Sequence, residues 1–153
     1  MIREVLSFVQ PELTKHEIVV EEDLAEGHDP VLADRVQLQQ IVLNLIMNGI
    51  EAMADLTARP RRLITSCERG HGDSDPGVLV AVQDAGIGAG PHDLETLFDP
   101  FFTTKHDGLG MGLSIGRSIA QAHGGRLWAS RNTDHGLTFH LLLPQARQAP
   151  IQA

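Results

Sequence analysis

Apolar residues recur at helical spacing from the start of the chain. Ile2, Val5, Leu6 and Val9 stand three and four positions apart, the period of a helix with one buried face. The pattern begins without a lead-in, so residues 1–10 are expected to be the tail of a helix that belongs to an upstream segment. Glu17–Leu24 (EIVVEEDL) is β-branched in its first half and reads as a strand. Ala25–Pro30 (AEGHDP) is turn chemistry, Val31–Ala33 reads as a short strand, and Asp34 is placed to cap a helix. Leu38, Ile41, Val42, Leu45, Gly49, Ala52 and Met53 fall on one stripe of that helix, which is long and runs from about Arg35 to Asp55. The segment Ala58–Arg62 (ARPRR) breaks it. Arg62–Glu68 and Val78–Gln83 (VLVAVQ) have strand composition and are joined by the polar, glycine-rich Gly70–Gly77.

Glycine and proline punctuate the second half. The cluster Asp84–Gly90 comes directly after a strand, and Pro91–Phe98 reads as a short helix with Pro91 in its first turn. Asp99–Gly112 has no regular period. Leu113–His123 reads as a helix stopped by Gly124 and Gly125. Arg126–Arg131 and Leu137–Leu143 are two strands joined at Asn132–Gly136, and Pro144 ends the second. Gln145–Ala153 is a polar tail, expected to fray. Five or six strands intermixed with three helices predict an α/β sheet covered on one face by helices. The expected limits are 1–10 for the upstream helix, 11–144 for the folded domain and 145–153 for the tail.

Composition narrows the functions open to such a fold. The chain has 153 residues, 42% hydrophobic and 21% charged, which suits one soluble domain. No run approaches the ~18 apolar residues of a membrane span. Cys67 is the only cysteine, which excludes an internal disulfide or a multi-thiolate metal site and fits a reducing compartment. The net charge of −8 argues against a nucleic-acid binder held by phosphate contacts. It leaves room for a nucleotide bound through Mg²⁺ and backbone amides, which needs few cationic side chains. The eight histidines lack metal-ligand spacing: His71 with Asp73 and Asp75 reads as a solvated loop, His123 as a helix-end residue.

Four clusters carry candidate chemistry. On the long helix, Asn44, Asn48 and Glu51 lie within about 60° of arc. Carboxamide oxygens there are hard ligands suited to Mg²⁺ and its waters, although two surface asparagines are the commoner meaning of that pair alone. Asp84-Ala85-Gly86-Ile87-Gly88 stands immediately after a strand. Its carboxylate can accept from an exocyclic amine such as adenine's, and its glycines let backbone approach a planar ligand; a turn with an Asp cap is the plainer meaning. Leu97–Lys105 (LFDPFFTTK) packs Phe98, Phe101 and Phe102 beside Thr103, Thr104 and Lys105. It is either an anchored hinge next to a phosphate-seeking cation or a satellite apolar cluster, and the two are compatible. Gly108-Leu109-Gly110-Met111-Gly112-Leu113 leads straight into a helix, whose N-terminal N–H groups suit anionic oxygens. A flexible linker is the alternative there.

In order and spacing, these clusters resemble the N, G1, F and G2 boxes of the ATP-binding catalytic domain of sensor histidine kinases. That domain belongs to the superfamily shared with gyrase, heat-shock chaperones and mismatch-repair ATPases. The wording NLIMNGIEAM, FDPFFTTK and GLGMGLSIGRSIAQAHGGRLWA is similar to the subgroup often fused to PAS sensor domains in nitrogen- and oxygen-responsive kinases. The likeness covers roughly Ile18 to Pro144. It implies a Bergerat fold, a two-layer sandwich with a mixed five-stranded sheet and three helices on one face.

It also implies residue roles. Asn48 would ligate Mg²⁺, with Asn44 beside it where the hydrolysing relatives carry a water-activating Glu. Asp84 would bind the adenine amino group in a pocket shaped by Gly86 and Gly88. Phe102, Thr103, Thr104, Lys105, Gly108, Leu109, Gly110, Met111, Gly112 and Leu113 would surround the nucleotide, with Lys105 and the glycine backbone on its phosphates. The expected activity is transfer of the γ-phosphoryl of Mg-ATP to a histidine on a separate dimerisation domain. A response regulator receiver domain would be the downstream partner, and no contact with nucleic acid or membrane is expected. The domain would work in the cytoplasm, whether or not its parent is membrane-anchored. Gly49 departs from the usual Ala and Glu51 from the frequent Lys. His16-Glu17 mimics an acceptor motif, but it precedes a β-branched run. A hydrolytic ATPase module would want Glu in place of Asn44, and a non-catalytic adaptor would not need four intact boxes.

Overall fold

The computed structural model describes residues 1–25, 31, 33–71, 76–102 and 111–145. Two short helices open the chain, α1 (Ile2–Phe8) and α2 (Gln10–Lys15), and β1 (Val19–Leu24) and the long α3 (Arg35–Met53) come next. A hairpin of β2 (Arg62–His71) and β3 (Pro76–Gln83) leads to a 3-10 helix at Leu94–Phe98, then to α4 (Gly112–Ala122), β4 (Arg126–Arg131) and β5 (Leu137–Pro144). The strands form one five-stranded sheet in the order β1-β2-β3-β5-β4. Only β1 and β2 run parallel. That pairing needs a crossover, which α3 supplies. The remaining neighbours are antiparallel.

Register decides which side chains meet the helices. Thr65 pairs with Val82, Val82 with Phe139 and Phe139 with Ala129, so one row crosses four strands. Along β5, Leu137, Phe139, Leu141 and Leu143 are buried and alternate with half-buried Thr138, His140 and Leu142, the period-two pattern of a sheet packed on one side. α3 lies against that side and buries Leu38, Ile41, Val42, Leu45, Ile46, Gly49, Ile50 and Met53. Its apolar face is wider than the predicted stripe, because the helix touches α1 and α4 as well as β2 and β3. Asp34 caps it as expected, its side chain accepting from Gln37 N. Ile2, Val5, Leu6 and Val9 are buried in the same core.

Several boundaries differ from the sequence reading. Helix resumes at Gln10–Lys15 with Pro11 in its first turn, where a missing N–H costs nothing. Val31 and Ala33 are not in a strand; they pack against the core without a ladder partner. The expected helix Pro91–Phe98 is helical only from Leu94, since Asp93 is the residue that caps it, accepting from Glu95 N at 3.1 Å. β2 and β3 run further than expected, to His71 and from Pro76. α4 starts one residue early, at Gly112. It stops as predicted: Gly124 has φ +72° and Gly125 N donates back to Ala120 O at 2.8 Å. The ends of α4 and α3 meet through His123. Asp34 N donates to its Nε2 at 3.1 Å, so the ring proton sits on Nδ1, 2.8 Å from Ile119 O.

Candidate functional site

Asp84 is the first residue past β3 and is only 4% exposed. Its backbone is held on both sides, N donating to Leu137 O at 3.0 Å and O accepting from Asn132 Nδ2 at 2.8 Å. Its carboxylate Oδ1 accepts from Gly86 N at 2.8 Å and Leu137 N at 3.4 Å. These donors fix the plane of the carboxylate. The glycines around it have separate reasons. A Cβ on Gly86 would sit 2.7 Å from both Cβ and O of Ala52 on α3, so only glycine lets the segment lie against that helix. Gly88 has φ +73° and open space beside it. Gly136 has φ +83°, and a side chain there would overlap Asp84 O and Oδ1.

α3 joins the other clusters to this one. A Cβ on Gly49 would lie 3.4 Å from Asp84 Cβ, and Ile87 N donates to Ala52 O at 3.3 Å. Nearer the middle of the helix, Asn44 and Asn48 are half-buried. Asn44 Nδ2 donates to Gly112 O at 3.3 Å, which brings the asparagine cluster to the first turn of α4. That turn begins at Met111, and among the described residues no side chain caps its first N–H groups. Gly112, Gly86 and Asp84 therefore all lie against α3, beside Asn44, Ala52 and Gly49 in turn, with Met111 and Leu113 flanking Gly112 at the start of α4. Thr103, Thr104, Lys105, Gly108, Leu109 and Gly110 lie outside the described residues.

The phenylalanines divide their roles. Phe98 is buried, edge-on to Phe139 at 6.3 Å, with the Arg117 guanidinium 3.7 Å from its ring centre. Phe102 is half-buried and edge-on to His92 at 5.2 Å. Phe101 is 73% exposed. Arg117 also donates to Leu127 O and to both carboxylate oxygens of Glu95, and the hydrogen bond holds the Glu95 carboxyl below its ordinary pKa. Sequence reasoning missed Asn132 and Gly136, which sit in a strand connection some fifty residues from Asp84. The spacing of Asn132 and Gly136 was legible as a turn, but its proximity to Asp84 arises only when β5 pairs with β3.

Residues 33–147 match the family of histidine kinase-, DNA gyrase B- and HSP90-like ATPases. The chain belongs to this family. Among relatives of this ATPase domain, the sensor protein FixL of Bradyrhizobium diazoefficiens is 46% identical over 123 residues, covering 80% of this chain and 23% of that protein. The sensor protein TdiS of Thauera aromatica is 36% identical over 94% of this chain and 26% of its own length. The chain thus spans about a quarter of the curated relatives it matches. The solved catalytic domain of histidine kinase ThkA superposes with a TM-score of 0.80 at 30% identity, covering 94% of this chain and 90% of that one. The mixed five-stranded sheet with helices is therefore the Bergerat fold. The three expected helices are α3, the 3-10 helix and α4, and α1 and α2 precede the sheet. Among the described residues, no helix is long and apolar enough to cross a membrane.

Proposed function

We propose that this chain is the ATP-binding catalytic domain of a sensor histidine kinase, and that its nucleotide lies along α3 between the Asp84–Gly88 segment and the start of α4. One observation carries the reading: a buried carboxylate, fixed by two backbone N–H groups, stands on the same helix wall as Asn44 and the uncapped N-terminus of α4. Asp84 would accept from the adenine amine, with Gly86 and Gly88 keeping side chains off the base. The first-turn amides of α4 would face the phosphates, joined by Thr103, Thr104, Lys105 and the Gly108–Gly110 backbone.

The chemistry of the donors suits Mg²⁺. Asn44 and Asn48 offer hard carboxamide oxygens, and among the described residues no group of three or more His, Cys, Asp or Glu side chains competes for an ion. The two asparagines would hold it, and it would supply neutralisation of phosphate charge. Phosphoryl transfer asks a domain mostly for positioning, and an acceptor histidine on another domain supplies the nucleophile. Asn44 cannot act as general base toward water, which favours transfer over hydrolysis. FixL and TdiS are sensor proteins, which supports a sensor kinase as the parent. A receiver domain is a fitting downstream partner, since ThkA has been solved in complex with the response regulator TrrA. ATP places the domain in the cytoplasm.

Calorimetry with Mg-ATP, and then mixing with a separately expressed histidine-bearing helical domain and labelled ATP, tests this. Acid-labile, base-stable label on that partner is expected. Asn48→Ala should abolish the label while leaving far-UV circular dichroism unchanged. Transfer by that variant with unaltered Mg²⁺ dependence, or sustained phosphate release by the unchanged chain, would overturn the reading.

A further inference from the structure

Arg59 lies just beyond α3 and is half-buried. Its guanidinium forks onto two consecutive carbonyls: Nε donates to Ala85 O at 2.9 Å and Nη2 to Gly86 O at 2.7 Å. The amides of the same two peptide units point elsewhere. Gly86 N donates to Asp84 Oδ1 at 2.8 Å and Ile87 N to Ala52 O at 3.3 Å. The Ala85–Gly86 and Gly86–Ile87 peptide planes are therefore fastened at both ends. The fastening matters because glycine offers little resistance to a peptide flip. Losing the first plane would also remove a donor that aims the Asp84 carboxylate. Arg131 repeats the device at the far end of the segment, donating to Gly90 O at 3.1 Å and His92 O at 2.6 Å.

We propose that Arg59 is a positioning residue for the nucleotide base: it locks the Ala85–Gly86 and Gly86–Ile87 peptides and so sets the direction of the Asp84 carboxylate that reads adenine. The inference rests on the assignment of Asp84 to the adenine amine. The fork is specific to arginine, because a lysine ammonium is a point donor that cannot span two carbonyls with fixed geometry.

The test measures ADP and GDP binding, with Mg²⁺, by calorimetry on the 153-residue chain and on Arg59→Ala and Arg59→Lys, with melting temperature tracked in parallel. Arg59→Ala should weaken ADP binding at least fivefold, leave GDP binding nearly unchanged and so erode the preference for ADP by a similar factor. Arg59→Lys should fall between it and the unchanged chain, and it carries the test should Arg59→Ala lose its fold. A general loosening would weaken both nucleotides equally, and that result would overturn the inference, as would ADP affinity within twofold of the unchanged chain in both variants. No ADP binding by the unchanged chain would instead bring down the nucleotide assignment itself, and this inference with it.

Discussion

At the scale of single residues, Asp84 shows how a charge is buried without waste. Two backbone N–H groups on one carboxylate oxygen replace the water it loses. Asp84→Asn keeps an oxygen for those donors, so the fold should hold. An amide nitrogen would then face the donor edge of adenine, and ATP affinity should fall about 10- to 100-fold by calorimetry. Thr65 is the contrasting case. It is 0% exposed, and its Oγ1 has no hydrogen-bond partner among the described residues. Thr65→Val keeps the shape and removes an unsatisfied hydroxyl, and should raise stability by about 1 kcal/mol in urea unfolding. The turn with an Asp cap that the sequence suggested at Asp84 is present, Gly86 N donating to the Asp84 carboxylate two residues back. Asn132, Gly136 and Arg59 were not legible in the sequence, since each acts on backbone brought near by folding and carries no local signal. The ARPRR run read only as a helix breaker.

Elements divide in the same way. The long helix, the strands and the glycine stop of α4 were readable from period and punctuation. The width of α3's buried face was not, because it depends on neighbours on three sides. The β4–β5 pair adds a property that no period reveals. His140, on the face away from α3, stacks on Trp128 at 5.1 Å between ring centres and contacts Ser130 Oγ at 2.8 Å. Burial lowers its pKa from the ordinary imidazole value. A group held neutral in this way binds fewer protons folded than unfolded, so its contribution is whole above the unfolded pKa and lost as pH falls below it. Stability should therefore decline as pH falls through the ordinary imidazole range near about 6.5, and His140→Gln should flatten that part of the profile in denaturant titrations. The Glu95–Arg117 pair is solvent-exposed on its acidic side, so its removal should matter less to stability.

For the molecule as a whole, one helix organises the site. α3 is the crossover that lets β1 and β2 run parallel, the main cover of the sheet, and the wall on which Asn44, Asp84, Gly86 and Gly112 converge. A change in α3 packing therefore reaches the site directly, as does the β4 edge through Arg131 and Asn132, whereas the β1 edge is bordered by charge. β1 carries Glu21, Glu22 and Asp23 on an outer strand, with Glu21 bound to Arg62 and Glu22 within 3.6 Å of Arg3, the kind of charged border that discourages strand addition by another chain.

The His123 bridge gives this arrangement a direction. α4 is moored to the beginning of α3 by a ring that both accepts and donates, and Gly125 secures the same end to Ala120. At the opposite end, a 3.3 Å contact from Asn44 reaches Gly112. The helix is thus tied to α3 at both ends, and Arg117 fastens its middle to Leu127 O on β4, so a ligand that draws on the Gly112 end loads α3 and the sheet together.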